Sequence, residues 1–215
     1  MPRHGILLSL VTLTCLATGC RLFKPYNPNA PKTEQVRPPD VQPAAQAVVE
    51  APPPPLEKRR DVGTVSDATI AAMLLASNNT DISYARLVPS RAERQDIREF
   101  AVRMLTDHAG INALLNELLA KIDLTPEDNN ASLDLRDVSA ANRDRMRDLT
   151  GYAFDSTYIE NEIMYHRRFL SDLDDILIRK SRNRDLGNLL TTVRPAVAAH
   201  LAHAEQIRAN VLSRK

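Results

Sequence analysis

The sequence predicts an all-α protein: one four-helix bundle domain held behind a proline-rich tether. Three observations predict it. From residue 65 onward, apolar residues recur in steps of three and four, and strand-like alternation is missing. Residues 25–55 hold ten of the fourteen prolines. The chain also opens on a short apolar segment that ends in small residues and a cysteine.

That opening segment reads as an export signal. Arg3 and His4 form a polar start, Ile6 to Leu16 is apolar, and Ala17-Thr18-Gly19 leads directly into Cys20. The apolar run is shorter than the roughly 20 residues needed to span a bilayer. Residues 1–20 are therefore expected to be a lipoprotein signal peptide with Cys20 as the lipidated residue, although Ala17 stands where a lipobox usually has leucine. The competing reading is an ordinary secretory signal with an incidental cysteine. Acyl chains contribute about 0.8 kcal/mol per buried methylene, so a multiply acylated cysteine holds firmly to a membrane. Cys15 would leave with the signal, which removes disulfide and thiolate chemistry from the mature chain. Arg21, rather than an aspartate that retains lipoproteins at the inner membrane, follows the anchor. The expected location is the cell envelope, on the outer membrane facing the periplasm.

Residues 21–64 are expected to be a disordered linker, because a stretch so rich in proline cannot bury a core. In polyproline II form, some 40 residues reach at most roughly 120 Å. The linker is a spacer between membrane and domain.

Residues 65–215 form the domain. The first helix is expected over about Ser66 to Leu87, ending near Pro89. Ser90 with Glu93 has the spacing of a capping box for a second helix that reaches Ile122. That helix carries Ile97, Phe100, Met104, His108, Ile111, Leu115 and Leu118 on one stripe. A polar link, Thr125 to Asp128, follows, with a short helix around Ser139 to Leu149 and a break at Gly151. The third main helix, about Phe154 to Lys180, has Ile159, Ile163, His166, Leu170, Leu173 and Leu177 in step. The fourth, about Asn183 to Leu212, has Leu186, Val193, Val197, His200, Ala204 and Ile207, with a bend expected at Pro195. Short links predict an up-down-up-down order.

His108, His166 and His200 occupy apolar positions on three different helices. Helix rise places them at depths of about 25, 22 and 24 Å in that bundle, a single layer. Glu162 lies one turn from His166 on the same face. Asp81, near Asn78, falls on the core stripe of the first helix, about 13 Å below the histidine layer by the same rise. His203 and Glu205 flank the seam as surface residues. Inward histidines and carboxylates from several helices are how bundles hold iron, manganese, zinc or copper, so a transition-metal site is one reading. The other is a hydrogen-bonded core network that fixes helix register. The pattern lacks the paired Glu-x-x-His repeats of di-iron bundles, since Leu105 and Ile163 stand in the glutamate places.

The remaining chemistry narrows the field. A formal charge of +1 offers no basic excess for phosphates, which argues against nucleic acid. No phosphate loop, nucleophile elbow or His-Glu-x-x-His motif is present, and no enzyme activity is expected. The expected partners are the membrane, through Cys20, and an envelope protein.

Several spaced motifs also resemble a known bacterial family, the exported domain of unknown function 4142. They are Phe100-Ala101 with Met104, Asp107 and His108; Gly151-Tyr152-Ala153-Phe154-Asp155-Ser156-Thr157-Tyr158; and His200-Leu201 with Ala204. The resemblance covers about residues 66–210 and implies a ferritin-like four-helix fold, with no established reaction. It places Asp81 where the family usually has glutamate. It also singles out Asp107, Asp155 and Tyr158 as structural residues: Asp107 to cap or orient a neighbour, Asp155 to cap the third helix.

Overall fold

A computed structural model describes Val62 and residues 65–212. The proposed signal peptide with Cys20, nearly all of the linker and the last three residues lie outside the described residues. Those described are all-α, in five helices: α1 (Asp67–Ala85), α2 (Gln95–Lys121), α3 (Asn130–Met146), α4 (Gly151–Asp172) and α5 (Arg184–Leu212). α4 runs on through a π-helical turn, Leu173–Leu177, and a last turn, Ile178–Lys180. The wider turn keeps Leu173, Ile176 and Leu177 all in the core. None of these helices is long and apolar enough to cross a membrane.

Local chemistry sets the helix ends. Ser66 with Thr69 and Asn129 with Ser132 form reciprocal capping boxes at α1 and α3. α2 has no such cap, and Ser90 instead bonds back to the Leu87 carbonyl. The backbone N–H groups of Glu93 and Arg94 donate to the Asp155 carboxylate at 3.3 and 2.9 Å. This corrects two expectations: the Ser90–Glu93 box does not start α2, and Asp155 caps the entry to α2 rather than its own helix. The cause is tertiary, because the first turn of α4 docks beside that of α2. The break expected at Gly151 falls where α4 begins, and the residue sits at φ +59, which a residue with a Cβ adopts only under strain.

The third helix of the chain is longer than expected, seventeen residues beginning at Asn130. It packs outside α1, and this changes the topology. Asp67 at the start of α1 accepts from the N–H groups of Arg182 and Asn183 at the α4–α5 turn, at 2.8 and 2.9 Å. Lys121 at the end of α2 bonds Asp185 at the start of α5. So α1 and α5 start at one end, while α2 and α4 start at the other. Direction alternates from α1 to α5, but α3 takes one of the reversals. The four core helices run up, down, down, up, with a single crossover carried by α3.

α1 is the inner helix of this arrangement. Ile70, Ala71, Ala72, Met73, Leu74 and Ala76 are buried around its whole circumference, as a helix covered on every side requires. The core falls into two apolar clusters. Ile70, Leu74, Ile111, Leu115, Phe169, Leu173, Leu190 and Val197 form the one nearer the α1 start. Tyr84, Phe100, Met104, Phe154, Tyr158, Ile163, Ala204 and Ile207 form the other. Each fully buried large side chain contributes about 1.5–3 kcal/mol relative to exposure. Between the clusters every core helix switches to polar residues.

Candidate metal centre

The polar layer is built from one position on each core helix, plus one. Asp81 on α1, His108 on α2, Glu162 and His166 on α4, and His200 on α5 are all 0% exposed. Asp81, His108, His166 and His200 each lie between the last residue of one apolar cluster and the first of the other, and Glu162 is one turn before His166. The depth of Asp81 corrects the sequence-based estimate. With α1 and α5 starting at the same end, Asp81 is about 21 Å along α1 and His200 about 24 Å along α5. His108 and His166 lie about 20 and 22 Å along α2 and α4 from the opposite end. The error came from counting α3 as a link, which put α2 and α5 on the same footing.

The contacts confirm the juxtaposition of these side chains. Asp81 Oδ2 is 2.7 Å from His108 Nε2 and 3.2 Å from His166 Nε2. One ring nitrogen of each histidine lies within 4.8 Å of those of the other two, and Asp81, Glu162 and His166 form a second such group. The His108 ring centre is 5.9 Å from that of His166 and 5.3 Å from that of His200.

The outward nitrogens fix the tautomers. His166 Nδ1 donates to the Glu162 backbone carbonyl at 2.8 Å, since a carbonyl only accepts. His200 Nε2 donates to Asp107 Oδ2 at 2.8 Å. His108 Nδ1 donates at 2.9 Å to Asn78 Oδ1, whose own amide group donates to Asn112. The inward nitrogens, His108 Nε2, His166 Nε2 and His200 Nδ1, are buried without a hydrogen-bond partner. So are both oxygens of Asp81 and both of Glu162. His108 and Asp81 come within 2.7 Å, yet off the line a hydrogen bond needs. A bare imidazole nitrogen facing a carboxylate is an acceptor facing an acceptor, and a proton or a metal cation between them relieves the pair.

The electrostatics call for positive charge in the layer. Burial opposes ionisation of Asp81, but positive charge and N–H donation from the facing His108 and His166 rings outweigh it and hold its carboxyl well below the usual range. Burial and the Asp81 charge push Glu162 far above its ordinary value. Burial and the two neighbouring imidazoles lower His200 to about 4, against the pull of Asp107, which keeps its ring neutral and fit to ligate. Tyr158, fully buried and stacked on Phe154 at 5.8 Å, has its hydroxyl pushed far up by burial and by Glu162. Phe100, Tyr165 and the Tyr158 face wall the layer off from water.

The other singled-out residues divide. Asp107 orients His200, one of the two roles its resemblance implied. Glu205 is exposed and pairs with Arg167 at 2.5 Å, as expected of a surface residue. His203 is half-buried, with its ring centre 5.3 Å from that of Phe100, edge to face. Sequence reasoning did not name Asn78 as the partner of His108, nor Asn112 behind it. Its one available signal was that two asparagines, Asn78 and Asn112, sit at core-facing or flanking helix positions, where amides are rare without a bonding task.

Fold and site together define an all-α bundle with a buried histidine–carboxylate layer at its middle. Within that class the chain belongs to the family described as domain of unknown function (DUF4142), whose model matches residues 52–207. A solved structure titled "CopM in the Cu(II)-bound form" is similar in fold, with a TM-score of 0.52 and 13% identity, over 69% of this chain and 99% of that one. At that identity the likeness concerns the fold alone. None of the curated proteins matches the chain.

Proposed function

We propose that this chain is an exported, lipid-anchored envelope protein whose bundle binds one divalent transition-metal ion. One observation carries the reading: three histidines, each locked by an outward hydrogen bond, turn bare nitrogens into one buried layer, two of them within 3.2 Å of the Asp81 carboxylate. Outward partners that orient ligating imidazoles are the usual support of a metal site. The residues that would hold the ion are His108, His166, His200 and Asp81, with Glu162 beside them. The donors converge on one layer, which favours a single ion.

Nitrogen and oxygen donors suit zinc, copper(II), nickel or iron, and the absence of thiolate in the domain disfavours soft copper(I). Among divalent ions Cu(II) is expected to bind most tightly, by the general affinity order of such donors. The fold likeness to a protein solved with Cu(II) makes copper the first ion to try. The task is holding or handing on the ion, since no substrate-activating motif accompanies it. The alternative, a module that only docks an envelope partner, draws less support. Among the described residues, the large apolar ones that are exposed, Val102, Leu114, Leu133 and Tyr152, are distributed over α2, α3 and α4.

The test is elemental analysis and calorimetry of the full-length chain with Cu(II) and Zn(II). One ion per chain is expected, lost in His166→Ala and in Asp81→Ala. A wild-type chain that takes up neither ion defeats the reading. For the anchor, Cys20→Ser should move the protein from the membrane to the soluble fraction, and unchanged fractionation would refute lipidation.

A further inference from the structure

The three histidines are not held alike. His108 is pinned through Asn78, itself 0% exposed and bonded to Asn112, and His166 is pinned to its own helix backbone. His200 alone is held by a side chain that reaches solvent: Asp107 is 36% exposed. The same Asp107 oxygen lies 3.4 Å from Nε of Arg103, an exposed surface cation that offers it a second partner. From His200, one hydrogen bond leads out of the core between α2 and α5.

The opposite side of the layer is closed differently. There α3 lies over α1, joined by Ser83 to Ser139 at 3.2 Å and by Asn142 to Tyr84 at 3.3 Å. Behind these, Tyr84 and Tyr165 meet edge to face at 6.2 Å, and Tyr165 donates to the Ser77 carbonyl. That seam is a neutral, aromatic wall. A divalent ion crossing it would shed water with no charged donor to replace it, whereas Asp107 offers a carboxylate at the surface.

Resting on the metal-binding reading, we propose that the ion enters and leaves between α2 and α5, with His200 as the exchanging ligand and Asp107 as the latch that positions it. His108, His166 and Asp81 then form the fixed part of the site, and the grip of Asp107 on Nε2 of His200 sets how fast the ion is exchanged. Asp107 acts through His200 and is a positioning residue.

The test uses the full-length chain with Cys15→Ser and Cys20→Ser, loaded with Cu(II), and follows ion transfer to excess EDTA by stopped flow. Asp107→Ala should speed release roughly tenfold to a hundredfold, the usual range of affinity lost with an outer partner, with one ion still bound per chain. Asp107→Asn, which keeps an acceptor oxygen, should restore most of the wild-type rate. In the same background, Ser83→Cys with Ser139→Cys, oxidised to a cross-link, pins α3 to α1 and should leave the rate unchanged. Release unaltered in Asp107→Ala, or slowed by the cross-link, overturns the route. Failure of the unaltered chain to bind Cu(II) at all overturns the metal reading and the route with it.

Discussion

In the apolar half of the bundle nearer the α1 start, Leu74, Leu115, Leu173 and Leu190 pack with no polar atom among them. Two to three turns away on each core helix, Asp81, His108, His166 and His200 are equally buried, and their inward atoms bond to nothing. The same four helices supply both regions, so packing alone does not explain the polar one. An apolar layer would be the more stable filling, and retained buried charge is better explained by a task than by stability.

Mutations that treat the two regions alike should have opposite effects. Leu115→Ala or Phe154→Ala should cost about 3–5 kcal/mol of stability in urea unfolding, while metal stoichiometry per folded chain stays the same. Replacing Asp81, His108 and His166 together by leucine should instead raise the stability of the ion-free chain, by about 1–4 kcal/mol, and abolish binding. A triple variant less stable than the parent would mean that the layer is a structural network.

The difference also shows in pH. Burial and the neighbouring imidazoles lower His200 from 6.5 to about 4, so the fold favours its neutral form. Its contribution is full above pH 6.5 and is lost as pH falls toward 4. Glu162, raised by burial, titrates in the opposite sense, losing stability as pH rises above 4.5. In a Glu162→Gln background the ion-free chain should therefore become less stable on acidification through that window. A flat profile would place the His200 ring in contact with solvent. At the small end, Ser66→Ala removes the cap of α1 and should cost about 1 kcal/mol with no change in metal binding.

How much of this was legible in the sequence varies by element. The stripes on α2, α4 and α5 and the polar breaks at His108, His166 and His200 were plain, because 3.6-residue periodicity is a local property. α1 was less so: buried on every side, it has no polar face to contrast with. α3 was the hardest to read, since Ser132, Ser139 and Met146 are its only fully buried residues, and serines every seven positions look like a loop. Taking it as a short helix within a link displaced Asp81 from the histidines. The exchanged cap, Asp155 serving α2, is a contact sixty residues away in sequence that no local motif announces.

The central claim is that three imidazoles turn bare nitrogens inward, and nitrogen-15 NMR of the side chains reads this directly. The ion-free chain at neutral pH should show His108 and His166 as Nδ1–H tautomers and His200 as the Nε2–H tautomer. On adding one equivalent of Zn(II), His108 Nε2, His166 Nε2 and His200 Nδ1 should shift to metal-bound values together. Opposite tautomers, or ring nitrogens unmoved by the ion, would contradict the account.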